Sequence, residues 1–136
     1  MQGSRLGIDS HANISCAGKN SGVIEVIKGE ECTVFPFNDS LTTLKYVKTV
    51  NDAYATDTPD GRTYILRVNH SLDFTTSMEH SFLCSNQATS NGTIVDDIPK
   101  LLDVKGTSTQ SVVFPDQNIN IGINFYGSVP YLPIRY

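Results

Sequence analysis

The sequence predicts an all-β domain: a small, closed or nearly closed β-barrel with one short helix in its second half. Three observations carry that expectation. Short runs rich in Val, Ile, Thr, Tyr and Phe recur along the chain. Clusters of Gly, Pro, Asn, Asp, Ser and Thr separate them. Only one stretch carries helix signals, around residues 81–90.

The length of 136 residues suits one domain, with core enough to fold without disulfide or metal staples. Hydrophobic residues are 39% and charged residues 18%, a balance of globular rather than disordered chains. The net charge of −4, with no basic run, gives no electrostatic footprint for nucleic acid. Cys16, Cys32 and Cys84 are an odd, widely spaced set with no Cys-x-x-Cys, expected as reduced thiols inside a cell. Residues 1–5 are polar, lack the apolar stretch of a signal peptide and read in part as an appended or linker segment. The apolar runs are too short to span a bilayer. The expected setting is therefore cytoplasmic, with no membrane and no nucleic-acid partner.

In chain order, Leu6 to Ala12 begins as an apolar strand and ends in Asp9-Ser10. Val23–Ile27 and Cys32–Phe35 flank Lys28-Gly29-Glu30-Glu31 and predict a hairpin. Residues 45–68 predict a longer hairpin around Thr58-Pro59-Asp60-Gly61, where Pro presets φ and Gly tolerates positive φ. Ser81 to Ser90 is the helix candidate, with Phe82 and Leu83 inward and Asn91-Gly92 as its stop. Strands are expected at 93–95, 111–114, 119–123 and 129–134, with a polar link over 105–110. The strands from about 105 to 136 should extend or complete the sheet.

The chemistry resides in Asp9. A carboxylate at the end of a buried strand, followed by a hydroxyl, can serve as a general base when paired with a second carboxylate. Like charges that close cannot both ionise cheaply, so the pair shares a proton. One member then activates water while the other protonates a peptide carbonyl. Asp-Ser alone is also ordinary turn chemistry.

The run Ile8-Asp9-Ser10-His11-Ala12 resembles the LDSGA run of retropepsins, the aspartic proteases, in copia-type retrotransposons. It is closer to the DSHAD variant of diatom and fungal copia-like elements. Three further segments resemble that family in the same order: Thr63-Tyr64-Ile65-Leu66; His80 to Gln87 with Asn91 to Asp97, similar to HSLLNPNQ and NGITVDD; and Tyr131 to Arg135, similar to YFPTR. The resemblance implies a retropepsin-like barrel over residues 1–136 and an aspartic endopeptidase acting on a Gag-Pol-like polyprotein. It implies no cofactor and no metal. Only one such strand end is present, and Asp39-Ser40 sits in a turn-like setting. The active form is therefore expected to be a homodimer pairing Asp9 with its twin.

The implied site has Asp9 as catalytic carboxylate, with Ser10, His11, Ala12, Asn13 and His80 in support. Two departures stand out. His11 replaces the Gly of Asp-Ser/Thr-Gly, and Asn13 replaces the acid that would pair with a basic residue at His80. His11 either orients Asp9 or is an ordinary turn residue. His11, Cys16, His80 and Cys84 do not match a known zinc-finger spacing. The polar hairpin tip, Asp57, Thr58, Pro59, Asp60, Gly61 and Arg62, is expected as a flap over substrate. The alternative function is a non-catalytic or domesticated domain of this type, kept for dimerisation or peptide binding, which His11 favours.

Overall fold

A computed structural model describes residues 4–9, 13–34, 44–100 and 103–135. Strand is the dominant element throughout, so the chain belongs to the all-β class. Eleven strands are present among the described residues: β1 Ser4–Asp9, β2 Ser15–Ala17, β3 Gly22–Val34, β4 Leu44–Asp57, β5 Thr63–Asp73, β6 Ser81–Cys84, β7 Ile94–Asp96, β8 Ser111–Phe114, β9 Ile119–Gly122, β10 Asn124–Tyr126 and β11 Val129–Ile134. The helix α1 covers Ser85–Ser90. An eight-stranded sheet runs β10-β11-β1-β6-β2-β5-β4-β3, and β7-β8-β9 form a second sheet.

The core lies where the two sheets meet. Leu6, Ile8, Leu83, Leu132 and Ile134 from the large sheet pack with Val112 and Ile121 from the small one. β1 sits centrally, antiparallel to β11 and parallel to β6. That position explains its burial: Leu6 and Ile8 face the core, while Gly7 and Asp9 project to the opposite face by the two-residue period of a strand. Gly7 is required by close approach. A β-carbon there would lie 2.8 Å from the Phe82 ring, which rests on the β1 backbone.

The expected barrel closure does not occur among the described residues. Closure would join the sheet's two edge strands, β10 and β3, and no ladder pairs them among the described residues. β11 and β4 approach one another across the sheet, with bonds from Thr56 Oγ1 to the Pro133 carbonyl at 2.7 Å and from the Arg135 amide to the Ala55 carbonyl at 2.8 Å, without forming a ladder among the described residues. The C-terminal strands divide accordingly: β10 and β11 extend the large sheet, and β8 and β9 build the small one.

The hairpin expected over 23–35 is a single strand instead. Both halves of β3 find ladder partners on the long β4, Gly22–Val26 against Val50–Ala53 and Glu31–Val34 against Leu44–Lys48. The residues between are absorbed as an irregularity with Gly29 at φ 81°. Ser4 and Arg5, read as part of a leading segment, open β1, and the Arg5 guanidinium lies 5.3 Å from the Tyr126 ring centre. The longer hairpin forms as expected from β4 and β5, with Gly61 at φ 86° in its turn.

The helix is shorter than its sequence signals imply. Ser81–Cys84 is strand β6, held between β1 and β2, so α1 begins only at Ser85. Cys84 caps it by accepting the Gln87 amide on Sγ at 3.4 Å, and the expected Asn91-Gly92 stop is present. No helix among the described residues is long and apolar enough to cross a membrane.

Candidate functional site

Asp9 is the last residue of β1 and stands in register with Cys84, the last residue of β6. Two parallel strands thus end side by side. Neighbouring parallel strands that part at their carboxyl ends leave a crevice, a common place for ligands in open sheets. Here a cavity of about 630 Å³ opens beside Asp9. Its walls are Ile8 and Phe82 from the central strands, Asp97-Ile98-Pro99 after β7, Phe125 from β10, Ser128 from the following turn, and Val129-Pro130 from β11. That volume is within the range of small-ligand and peptide side-chain sites.

The surrounding scaffold is tightly bonded. Ser15 Oγ accepts the Cys84 amide at 2.8 Å, and Gln87 Oε1 accepts the Ser15 amide at 2.9 Å. Gln87 Nε2 donates to the Asn69 and His70 carbonyls at 2.7 and 3.1 Å. One side chain of α1 therefore ties the helix to β2 and β5, directly behind the strand end that positions Asp9. Below it, Ser81 Oγ and the Ser81 amide both donate to Asn20 Oδ1, at 2.6 and 2.9 Å.

Burial, then the negative charge of Asp9, pushes the Cys16 thiol above its ordinary pKa, so it stays protonated. Cys16, Cys32 and Cys84 are not disulfide-bonded. A buried carboxylate, Asp52, lies in β4, where Tyr54 Oη and Ser71 Oγ donate to it, the latter at 2.8 Å. Burial raises its pKa, against the lowering effect of those hydrogen bonds.

The residues expected around Asp9 scatter. Ser10, His11 and Ala12 lie outside the described residues, as does Asp39-Ser40. Asn13 is exposed, and no hydrogen bond joins it to His80 among the described residues; His80 Nδ1 is buried without a partner. The expected place of His80 immediately before the helix is overturned, because β6 intervenes. His80 precedes β6, whose first residue, Ser81, is in register with Leu6 rather than Asp9. Among the described residues, no cluster of three His, Cys, Asp or Glu side chains is arranged to hold a metal. His70, which had no evident partner in sequence, has Nδ1 3.3 Å from Glu30 Oε2.

The hairpin tip is also elsewhere. Asp57 pairs with Arg135 at 2.7 Å, just past Ile134, which is in register with Ser4. That is the opposite end of β1, roughly 16 Å along the strand from Asp9. None of Asp57, Thr58, Pro59, Asp60, Gly61 and Arg62 lines the cavity beside Asp9.

The cavity walls were missed by sequence reasoning. Asp97 was in view only as the end of a resembling segment, and Phe125 and Pro130 belong to strands that pairing alone brings near Asp9. A second cavity, of about 560 Å³, has an apolar floor including Leu6, Leu83 and Leu132, on the face of β1 and β6 opposite Asp9. Its rim amides, including Asn51 and Gln87, are bonded to neighbouring protein groups. No protein-family model, curated protein or solved structure matches this chain.

Proposed function

We propose that this chain is an aspartic endopeptidase of the retropepsin type that processes a retrotransposon polyprotein. Its active form is a homodimer in which the Asp9 carboxylates of two copies share a proton. One carboxylate takes a proton from water, the water oxygen attacks the scissile carbonyl, and the other gives its proton to the carbonyl oxygen. Proton return to the amide nitrogen then releases two peptides. No metal or organic cofactor takes part, and the setting is the cytoplasm or a virus-like particle assembled there.

The observation that carries the reading is the placement of Asp9. It ends a buried central strand and lines an apolar cavity large enough for peptide side chains. The ordered resemblance of four segments, from Ile8 to Arg135, supports the same reading. His11, in place of glycine, favours a second reading: a non-catalytic domain of this type kept for dimerisation or peptide binding.

The deciding experiment is self-cleavage of an extended precursor, wild type against Asp9→Ala. Loss of processing in the variant, with the fold intact, supports the protease; equal processing sinks it. If the wild type does not process either, the non-catalytic reading stands. His11→Gly separates the two roles of that residue. An orienting His11 would shift the pH optimum or slow cleavage on the order of tenfold to a thousandfold when removed; a space-filling one would not.

A further inference from the structure

The cavity beside Asp9 contains a second carboxylate, Asp97, and among the described residues no charged side chain other than these two lines it. Among the described residues the remaining walls are apolar or aromatic apart from Ser128. Asp97 and its neighbour Asp96 differ sharply in their surroundings. Asp96 is engaged by the Thr109 amide at 2.7 Å and by the Ser108 and Thr109 hydroxyls at 3.1 Å each. The Thr109 amide first, with the two hydroxyls, holds the Asp96 carboxyl below the usual carboxylate range. Asp97 has no ion pair among the described residues, where Asp57 and Asp60 have Arg135 and Arg62. It is half-buried. A carboxylate partly withdrawn from water against apolar walls attracts a cation more strongly than one on an open surface.

We infer that Asp97 is a specificity-determining residue, and that this cavity selects an extended peptide carrying a bulky apolar side chain with a Lys or Arg two positions along. This rests on the proteolytic reading for its biological meaning. The apolar side chain fits between Phe82, Phe125 and Pro130, and the cation reaches Asp97. The two-residue spacing follows from extended backbone, in which alternate side chains face the same side. The cavity exceeds one aromatic side chain in volume, so two side chains on that side enter it together.

The test uses binding rather than cleavage, so that it does not depend on turnover. Asp9→Asn protein is titrated with fluorescein-labelled peptides containing Phe-Ala-Arg or Phe-Ala-Glu in an otherwise identical neutral sequence, read by anisotropy. The Arg peptide should bind roughly tenfold or more tightly, the range of a charge-assisted contact. Adding Asp97→Asn should bring the two affinities together, and Asp97→Lys should reverse their order. Equal binding of both peptides to the Asp9→Asn protein, no binding of either, or a preference that survives Asp97→Asn would each overturn the assignment. Failure of the proteolytic reading shows separately, as precursor processing insensitive to Asp9→Ala.

Discussion

Asp9 and Cys84 stand directly opposite one another as the last residues of two parallel strands, β1 and β6. Past this pair one chain enters the segment after β1 and the other turns into α1. The carboxylate is thereby set on a rigid central strand at the mouth of a cavity. The first prediction concerns that placement. Asp9→Asn is nearly isosteric and lies at a half-exposed strand end. It should abolish precursor cleavage while leaving the far-ultraviolet circular dichroism and the thermal midpoint almost unchanged. Retained cleavage at the wild-type rate would remove the proteolytic reading.

Gly7 and Phe82 should be energetically coupled. Gly7→Ala pushes a β-carbon into the Phe82 ring edge and should cost about 1–3 kcal/mol, as overpacking does. Phe82→Leu vacates part of that space, so the double variant should be more stable than the sum of the single effects by about 0.5–2 kcal/mol. Urea unfolding of the four proteins measures the cycle, and strict additivity would show that the ring does not rest on β1.

Asp52 should make stability depend on pH. Its folded pKa is raised, chiefly by burial, so the native state holds the proton more tightly than the unfolded chain. Below the unfolded value, about 3.9, the group makes no difference. As pH rises from that value to the raised folded pKa the native state progressively loses stability, and above the folded pKa the loss is constant. Asp52→Asn, uncharged throughout, should therefore gain stability relative to wild type as pH increases from about 4 toward 7. A difference that stays constant over that window would contradict the buried-carboxylate account.

Gln87 should matter more than its place in a six-residue helix suggests. Its removal leaves the Ser15 amide, on a buried residue, without its acceptor, and frees two carbonyls of β5. Gln87→Ala should cost about 1–3 kcal/mol, the range for an unsatisfied buried polar group. Amide hydrogen exchange at Ser15 is the local readout and should accelerate in the variant; unchanged exchange there would show that the amide finds another partner.

Several elements were legible in the sequence because their causes are local. Pro59 and Gly61 specify a turn, and the Tyr- and Val-rich runs beside it specify strands, so the β4–β5 hairpin could be read directly. Ser111–Phe114 and Val129–Ile134 were likewise readable from β-branched and aromatic content. Asp9 was singled out by the resemblance of Ile8-Asp9-Ser10-His11-Ala12 to a retropepsin run, since Asp-Ser at a strand end is by itself ordinary turn chemistry. The segment 81–84 was not legible. Ser-Phe-Leu-Cys suits a helix or a strand, and only its fit between β1 and β2 makes it strand.

What the sequence determined by itself was therefore the all-β class and most strand positions. These follow from side-chain periodicity and turn chemistry within a few residues. The tertiary structure alone decided that the edge strands β10 and β3 do not pair to close a barrel among the described residues, and that Asp57 of the 57–62 tip pairs with Arg135, far from Asp9. It also decided that Asp97 and Phe125 line the cavity of Asp9. Those relations join residues scores of positions apart, and their free energy comes from backbone pairing and burial that no local window contains.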